Sequence, residues 1–484
     1  MSKKPIGGSR QPGLLPRSRF PTIPLAENHR LVQLTDRLDW TELEGVVEKI
    51  RLSKLKSRAG RPPHLRALIG GVLLMADRRI PYREAEDQIR HYAPARYLCG
   101  LTQTEWTPDF TTLQDFTALM GEDGLALINQ HAVKLAVKEK FADPKVLVAD
   151  TTAQEAAIPW PNEMGLMAGF LATVATSSKK AGRLLKEFVK KGAAKFKAAK
   201  EKVRKYRLFA KSKEAKTKLM AEMATLVEGV QARLGKVLCA SDSVAGRLVG
   251  HSKAARAKVV KLHETMKKLL PQIRYWLRTG HVASGKIINL NIPELYSIVR
   301  GKVGKAVEFG LKWGMARLRG GFLLATLAKN KSELEDTKFA LRAVDNHVAL
   351  FGQPPHAYAY DRGGYSKENV QKLQKKGVKE VGLAPRGKAQ WSVTDSQRAM
   401  LVKERALVEG SIGAVKSGRY GFNRPAARSA EMMGACGQRA VLGFNLNKLA
   451  REFTRRAAAF AGRQAGRRPS MKRGAAPEGA SSRP

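Results

Sequence analysis

Two aspartates in this chain follow short apolar runs: Asp150 closes "VLVA" and Asp361 closes "AYAY". In an α/β sheet, sites are built at the carboxyl ends of strands. Two acids from neighbouring strands could converge there on hard cations. Mg2+ takes carboxylate oxygen and keeps several waters, so two or three acids suffice. Two such ions, about 3.5–4 Å apart, activate an attacking water or hydroxyl and stabilise the leaving oxygen of a phosphodiester. Taken alone, each Asp is more simply a cap or turn residue.

A third acid comes from the segment 394–419, which reads as a helix despite Gly410 and Gly413. Arg405 and Glu409 are spaced i,i+4, and Glu409 and Lys416 i,i+7, so all three share one face. A carboxylate between two cations stays ionised, so Glu409 could hold a metal while Arg405 and Lys416 grip phosphates. The competing explanation is a solvated Arg–Glu–Lys ion-pair ladder.

Other motifs carry no chemistry. "GHVASGK" (280–286) has the glycine and lysine spacing of a phosphate loop. However, Ile287 stands where a magnesium-binding Ser or Thr is required, and no strand precedes it. Cys99, Cys239 and Cys436 are far apart and form no CxxC pair, which fits a reducing compartment.

The elements that must position the acids emerge from texture. Residues 25–138 read as helical, with a capping box at Thr41 and Glu44. From 145 onward strands interleave with helices, the α/β pattern. Strands are expected at "KVLVAD", "KIINLNI" (286–292), 306–327 as two strands turning near Arg319–Gly321, "HAYAY" and "KEVGLAP". Between the first two lies a different segment. Residues 181–220 hold 15 Lys/Arg against three Glu, and apolar stripes follow from Leu219 to Val237 and from Val259 to Trp276. Each stripe is one face of a long helix, with Pro271 expected to interrupt the second. An antiparallel helix pair with cationic outer faces results, in contact either with DNA or only with solvent. The expected layout is a disordered basic arm (1–24), a helical DNA-binding region (25–138), an α/β domain (139–176 and 281–455), a basic helical insertion (177–280) and a disordered basic tail (456–484).

The 484 residues hold 88 Lys+Arg against 42 Asp+Glu, a formal charge of +46. Such a surface repels itself unless a polyanion is near, and nucleic acid is the default partner. The best apolar run, "ALIGGVLLMA", is too short to span a bilayer. A cytoplasmic, nucleoid-associated protein is expected.

Several of these motifs, taken in order, resemble bacterial insertion-sequence transposases with an RNase H-like DDE catalytic domain. "VLVADTT" is similar to the context of that family's first acid, at Asp150. "DRGGYSKENV" is similar to that of the second, at Asp361, with one extra residue before Tyr365. Arg405-x3-Glu409-x6-Lys416 matches the last three positions of a Tyr-Arg-Glu-Lys signature, whose Tyr position is Val402 here. "TTLQDF" (111–116) and "GACGQRAVLGFNLNKLAREF" resemble further family segments. The resemblance runs from about 25 to 455. It implies a mixed sheet with flanking helices in which Asp150, Asp361 and Glu409 bind two Mg2+ ions, with Mn2+ as an alternative. It also implies double-stranded DNA partners, both inverted-repeat ends and target, and a homodimer in the synaptic complex. On this basis Arg405 and Lys416 would position strands. Trp160 in "IPWP" would either stack on a displaced base or pack in a loop or core. The alternatives are a catalytically inactive DNA-binding relative and a basic nucleic-acid-binding protein without chemistry.

Overall fold

The computed structural model describes residues 25–55, 62–101, 106–246, 248–302, 305–385 and 390–465. The expected arm at 1–24 and the tail beyond 465 lie outside them. Six helices come first: α1 (Arg30–Arg37), α2 (Trp40–Lys54), α3 (Leu65–Arg78), α4 (Tyr82–His91), α5 (Ala93–Leu98) and α6 (Phe110–Lys138). The cap of α2 is Asp39, whose side chain accepts from the Glu42 amide, rather than the Thr41 box. Asp39 precedes Trp40, the first residue with its face toward the core, so the helix starts earlier. Helix α3 is buried continuously from Ala67 to Asp77 and forms the centre of this layer. Gly121, at φ 61°, kinks α6, a backbone region that favours glycine.

The basic segment forms α7 (Glu163–Ser178), α8 (Arg183–Lys191), α9 (Ala193–Leu208), α10 (Lys213–Ala240), α11 (Asp242–Ala245) and α12 (Gly250–Thr279). Helices α10 and α12 lie antiparallel: Arg256 reaches the Leu238 carbonyl, Gln231 meets His263, and Arg274 pairs with Glu228. Both expected apolar stripes are in the shared core, with Met223, Val230 and Leu234 against Leu262, Met266 and Ile273. Two expectations change. The bundle begins at Glu163 rather than 177, because Met164, Met167, Phe170 and Val174 of α7 bury in the same core. Helix α12 runs unbroken through Pro271. Leu269, Leu270 and Ile273 are buried on either side, and their packing outweighs the lost hydrogen bond of the proline.

The sheet comprises β1 (Asp143–Glu155), β2 (Tyr296–Lys302), β3 (Lys305–Arg319), β4 (Leu323–Leu327), β5 (Ala357–Tyr360) and β6 (Glu380–Leu383). Its order is β2-β3-β1-β5-β6, with β4 also on β3. Strand β1 pairs antiparallel with β3 and parallel with β5, which pairs parallel with β6. The expected strand at 286–292 is absent: that segment is irregular. Its alternation has another cause. Ile287 and Leu290 enter the bundle core, while Ile288 and Ile292 enter the sheet core. The segment therefore pins the two cores together.

Helices α13 (Asp336–Phe351), α14 (Lys367–Lys375), α15 (Asp395–Lys416) and α16 (Ala430–Ala465) complete the chain. Helix α13 covers one face of the sheet, with Phe339 and Val344 against Leu147, Ala149, Tyr358 and Tyr360. Helix α15 covers the other, with Leu401, Val408 and Ile412 against Val146, Val148, Ala357 and Ala359. The last helix passes the expected limit at 455. Arg456 is held by Glu139 at 2.5 Å, and Phe453 packs edge-on against Phe141, so the first part of the expected tail is helical.

Candidate functional site

Asp150 is not at the end of its strand. β1 continues to Glu155 along β3, where Asp150 faces Met315 and Glu155 faces Gly310. It is the parallel partner that stops. Val146, Leu147 and Val148 pair with Ala357, Tyr358 and Ala359, an offset of 211 residues, and the same offset of 211 separates Asp150 from Asp361. The two acids thus occupy matching positions just past the last paired residues, and Asp361 keeps an extended backbone (φ −74°, ψ −176°). Neighbouring strands lie about 4.8 Å apart. Alternation puts Asp150 on the face of Val146 and Val148, and Asp361 on the face of Ala357 and Ala359. Both belong to the face that α15 covers.

Each carboxylate is anchored locally. Asp150 Oδ1 accepts the Thr151 amide at 2.7 Å, and Asp361 Oδ1 accepts the Gly363 amide at 2.8 Å. Sequence reasoning missed a third acid beside them. Asp336, the first residue of α13, accepts from the Thr151 hydroxyl at 2.9 Å and from Lys312 Nζ at 2.7 Å. A side chain at Gly363 would strike the Asp336 carboxylate, so the loop after Asp361 needs glycine for a close approach. The sequence offered one signal: an acid opening an amphipathic helix. Next to this group, burial drives the Tyr360 hydroxyl well above its ordinary range, reinforced by Tyr358, Asp336, Asp150 and Asp361. The Tyr360 oxygen is buried and has no hydrogen-bond partner among the described residues.

The predicted helix of the third acid is present, opened by a capping box at Thr394 and Gln397. Ion pairs fix its register on the sheet. Near its middle Glu404 accepts from Arg317 at 2.8 Å and from Arg319 at 3.1 Å, and Arg317 lies opposite Val148. At its end Lys416 pairs with Glu308 at 3.5 Å, just beyond the Glu155–Gly310 pair. Glu409 therefore lies alongside the middle of β1, at the level of Asp150. Its neighbour Val408 is buried, whereas Glu409 is exposed and Arg405 half-buried. Of the three, Lys416 pairs with Glu308 of β3. Among the described residues, no three His, Cys, Asp or Glu side chains are gathered closely enough to hold a metal ion. The structure therefore places Asp150 and Asp361 in matching register on adjacent strands, with Glu409 exposed on the flank of α15, the helix that covers the same face.

Trp160 is 71% exposed and meets the Phe309 ring edge-on at 4.9 Å. It belongs to a rim rather than to the core. Phe309 adjoins Glu308, the partner of Lys416, and its carbonyl accepts the Ala156 amide. On the same rim Arg424 pairs with Glu155 at 3.3 Å. The rim thus carries two ion pairs, Lys416–Glu308 and Arg424–Glu155, and an exposed indole.

Residues 21–119 match the family model described as Transposase domain (DUF772). No curated protein and no solved structure matches the chain. The matched segment covers α1 to α5 and the start of α6, helices that pack on one another and on α16. In this chain a segment similar to that domain is followed by a mixed α/β sheet. No described helix is long and apolar enough to cross a membrane.

Proposed function

We propose that this protein is a DNA transposase of the DDE type, with an RNase H-like sheet as its catalytic domain. It binds the ends of its element as double-stranded DNA, cleaves them and joins them to target DNA. The observation that carries this reading is the shared register of Asp150 and Asp361 on adjacent parallel strands. The transposase-domain match in the same chain supports it. Two carboxylates side by side repel one another, and a hard divalent cation relieves that repulsion. The donors fit Mg2+ in kind: Asp150 and Asp361 would hold it, and Glu409 would supply a further carboxylate from α15. When bound, Mg2+ lowers the pKa of the attacking water or hydroxyl and neutralises charge on the leaving oxygen.

The remaining work falls to the chain itself. Asp336 holds Thr151, and through it the backbone beside Asp150. Lys416 and Arg424, each now paired with an acid, and Arg405 on α15 would turn donors to a phosphodiester backbone that crosses the rim, and Trp160 offers a face to a displaced base. Synapsis of two ends calls for two copies of the chain.

The test uses duplexes made from the flanks of the gene, with Mg2+. Wild-type protein should nick and join them. Asp150→Asn, Asp361→Asn and Glu409→Gln should each stop product formation by at least about 10³-fold and leave DNA binding intact. Undiminished cleavage by Asp150→Asn or Asp361→Asn would sink the assignment. Binding without cleavage by wild type would instead identify an inactive relative.

A further inference from the structure

A second charged feature lies away from the acids, where the N-terminal helices meet the segment after α15. A groove of about 460 Å³ is lined by Arg30, Arg78, Arg79 and Arg419, with Asp77 and Glu84 as its acids. Asp77 is buried and pairs with Arg30. Glu84 accepts from Gln88 at 3.3 Å. The groove therefore keeps an excess of two positive charges.

The arginines are held rather than free. Arg79 donates to the Gly418 carbonyl. Arg78 lies over the Tyr92 ring at 4.8 Å. Arg419 donates to Asn447 Oδ1 at 2.9 Å and stacks on Tyr420. The buried Asn447 in turn donates to the Asp77 carbonyl. A guanidinium has five N–H donors, and these contacts use only some of them. Arginines fixed by rings and carbonyls have less entropy to lose when a phosphate arrives. Arg78 and Arg419 are exposed, so their remaining donors can reach a ligand.

We infer that this groove is a seat for the phosphate backbone of double-stranded DNA, gripped by Arg78, Arg79 and Arg419 and shared between the transposase domain and the end of α15. It rests on the reading of the protein as DNA-acting and gives that reading a second contact. The segment 417–420 directly follows Lys416, so a strand seated here leads toward the rim beside β1.

The test is fluorescence anisotropy of the full-length protein with a labelled 30-bp duplex, over a series of NaCl concentrations. Each phosphate contact contributes a slope of about 0.9 in log K against log salt. The double variant Arg78→Gln/Arg419→Gln should flatten the wild-type slope by about 2, and Arg78→Lys/Arg419→Lys should keep it. Glu84→Gln removes an acid facing the phosphates and should tighten binding several-fold, an effect that a purely structural role for the arginines does not predict. A wild-type slope in the Gln double variant, or weaker binding by Glu84→Gln, overturns the groove alone. Absence of duplex binding by wild-type protein overturns the DNA-acting reading itself.

Discussion

Asp150 and Asp361 illustrate what two residues gain from register. Each was visible in the sequence as an acid after an apolar run, but their equivalence depends on a parallel pairing between segments 211 residues apart. Asp336 was legible only as an acid opening a helix. Its partners Thr151 and Lys312 stand 185 and 24 residues away, and nothing local marks it as more than a helix-opening acid. Its geometry assigns it a positioning role. Asp336→Ala removes an acceptor of Lys312 and of the Thr151 hydroxyl; on the proposed function, the rate of DNA cleavage should fall about 10- to 100-fold, as when a carboxylate that orients a metal ligand is removed. Asp336→Asn still accepts a hydrogen bond and should retain more activity. Duplex affinity should not move in either variant. An affinity loss parallel to the rate loss would place Asp336 in DNA binding instead.

Between elements, the contact of α16 with α6 and with the sheet sets two expectations. Gly437 of α16 lies against the fully buried ring of Trp313, where an added Cβ would collide. That ring donates to Gln154 at 3.1 Å and cannot yield freely. Gly437→Ala should cost about 1–3 kcal/mol of stability, read from urea unfolding; an unchanged midpoint would show that the helix shifts instead. The second concerns Glu122 on α6, which accepts from Gln438 of α16 at 2.7 Å. Burial, with the charge of Asp123 beside it, pushes Glu122 up to about 7 from an ordinary 4.5, against the pull of the Gln438 hydrogen bond. A raised carboxyl pKa favours the fold fully below about 4.5, and that contribution is lost as pH rises through about 7. Thermal midpoints should therefore fall between pH 5 and 8 in the wild type and fall less in Glu122→Gln. An identical pH profile in the variant would mean that Glu122 is ionised across this range. At this scale the sequence was legible where periodicity had one cause, as in α10 and β3. It misled where one pattern served two cores, as at 286–292, where alternation reflects Ile and Leu residues shared between bundle and sheet.

Over the whole molecule, the composition points to a polyanion as partner but not to where one would sit. The basic stretch at 181–220 is carried on α8, α9 and the start of α10, around a core to which α7 also belongs. The arginine groove, by contrast, draws on residues from 30 to 447, and no local charge run announces it. The same +46 charge acts in opposite directions on two measurable quantities. Without a polyanion, like charges spread over the folded surface repel, and the unfolded chain, being more expanded, relieves that repulsion. Salt screens it: the Debye length falls from about 30 Å at 0.01 M to about 8 Å at 0.15 M. The melting midpoint of the protein alone should therefore rise between about 10 and 150 mM NaCl. On the proposed function, duplex affinity should fall over the same range, because each counterion released into more concentrated salt gains less entropy. Circular dichroism melts and anisotropy titrations on one preparation would read both. A melting midpoint that drops as salt is added would mean that attractive ion pairs, such as Arg317–Glu404 and Arg456–Glu139, outweigh the net repulsion, and that the excess charge does not govern the stability of this fold.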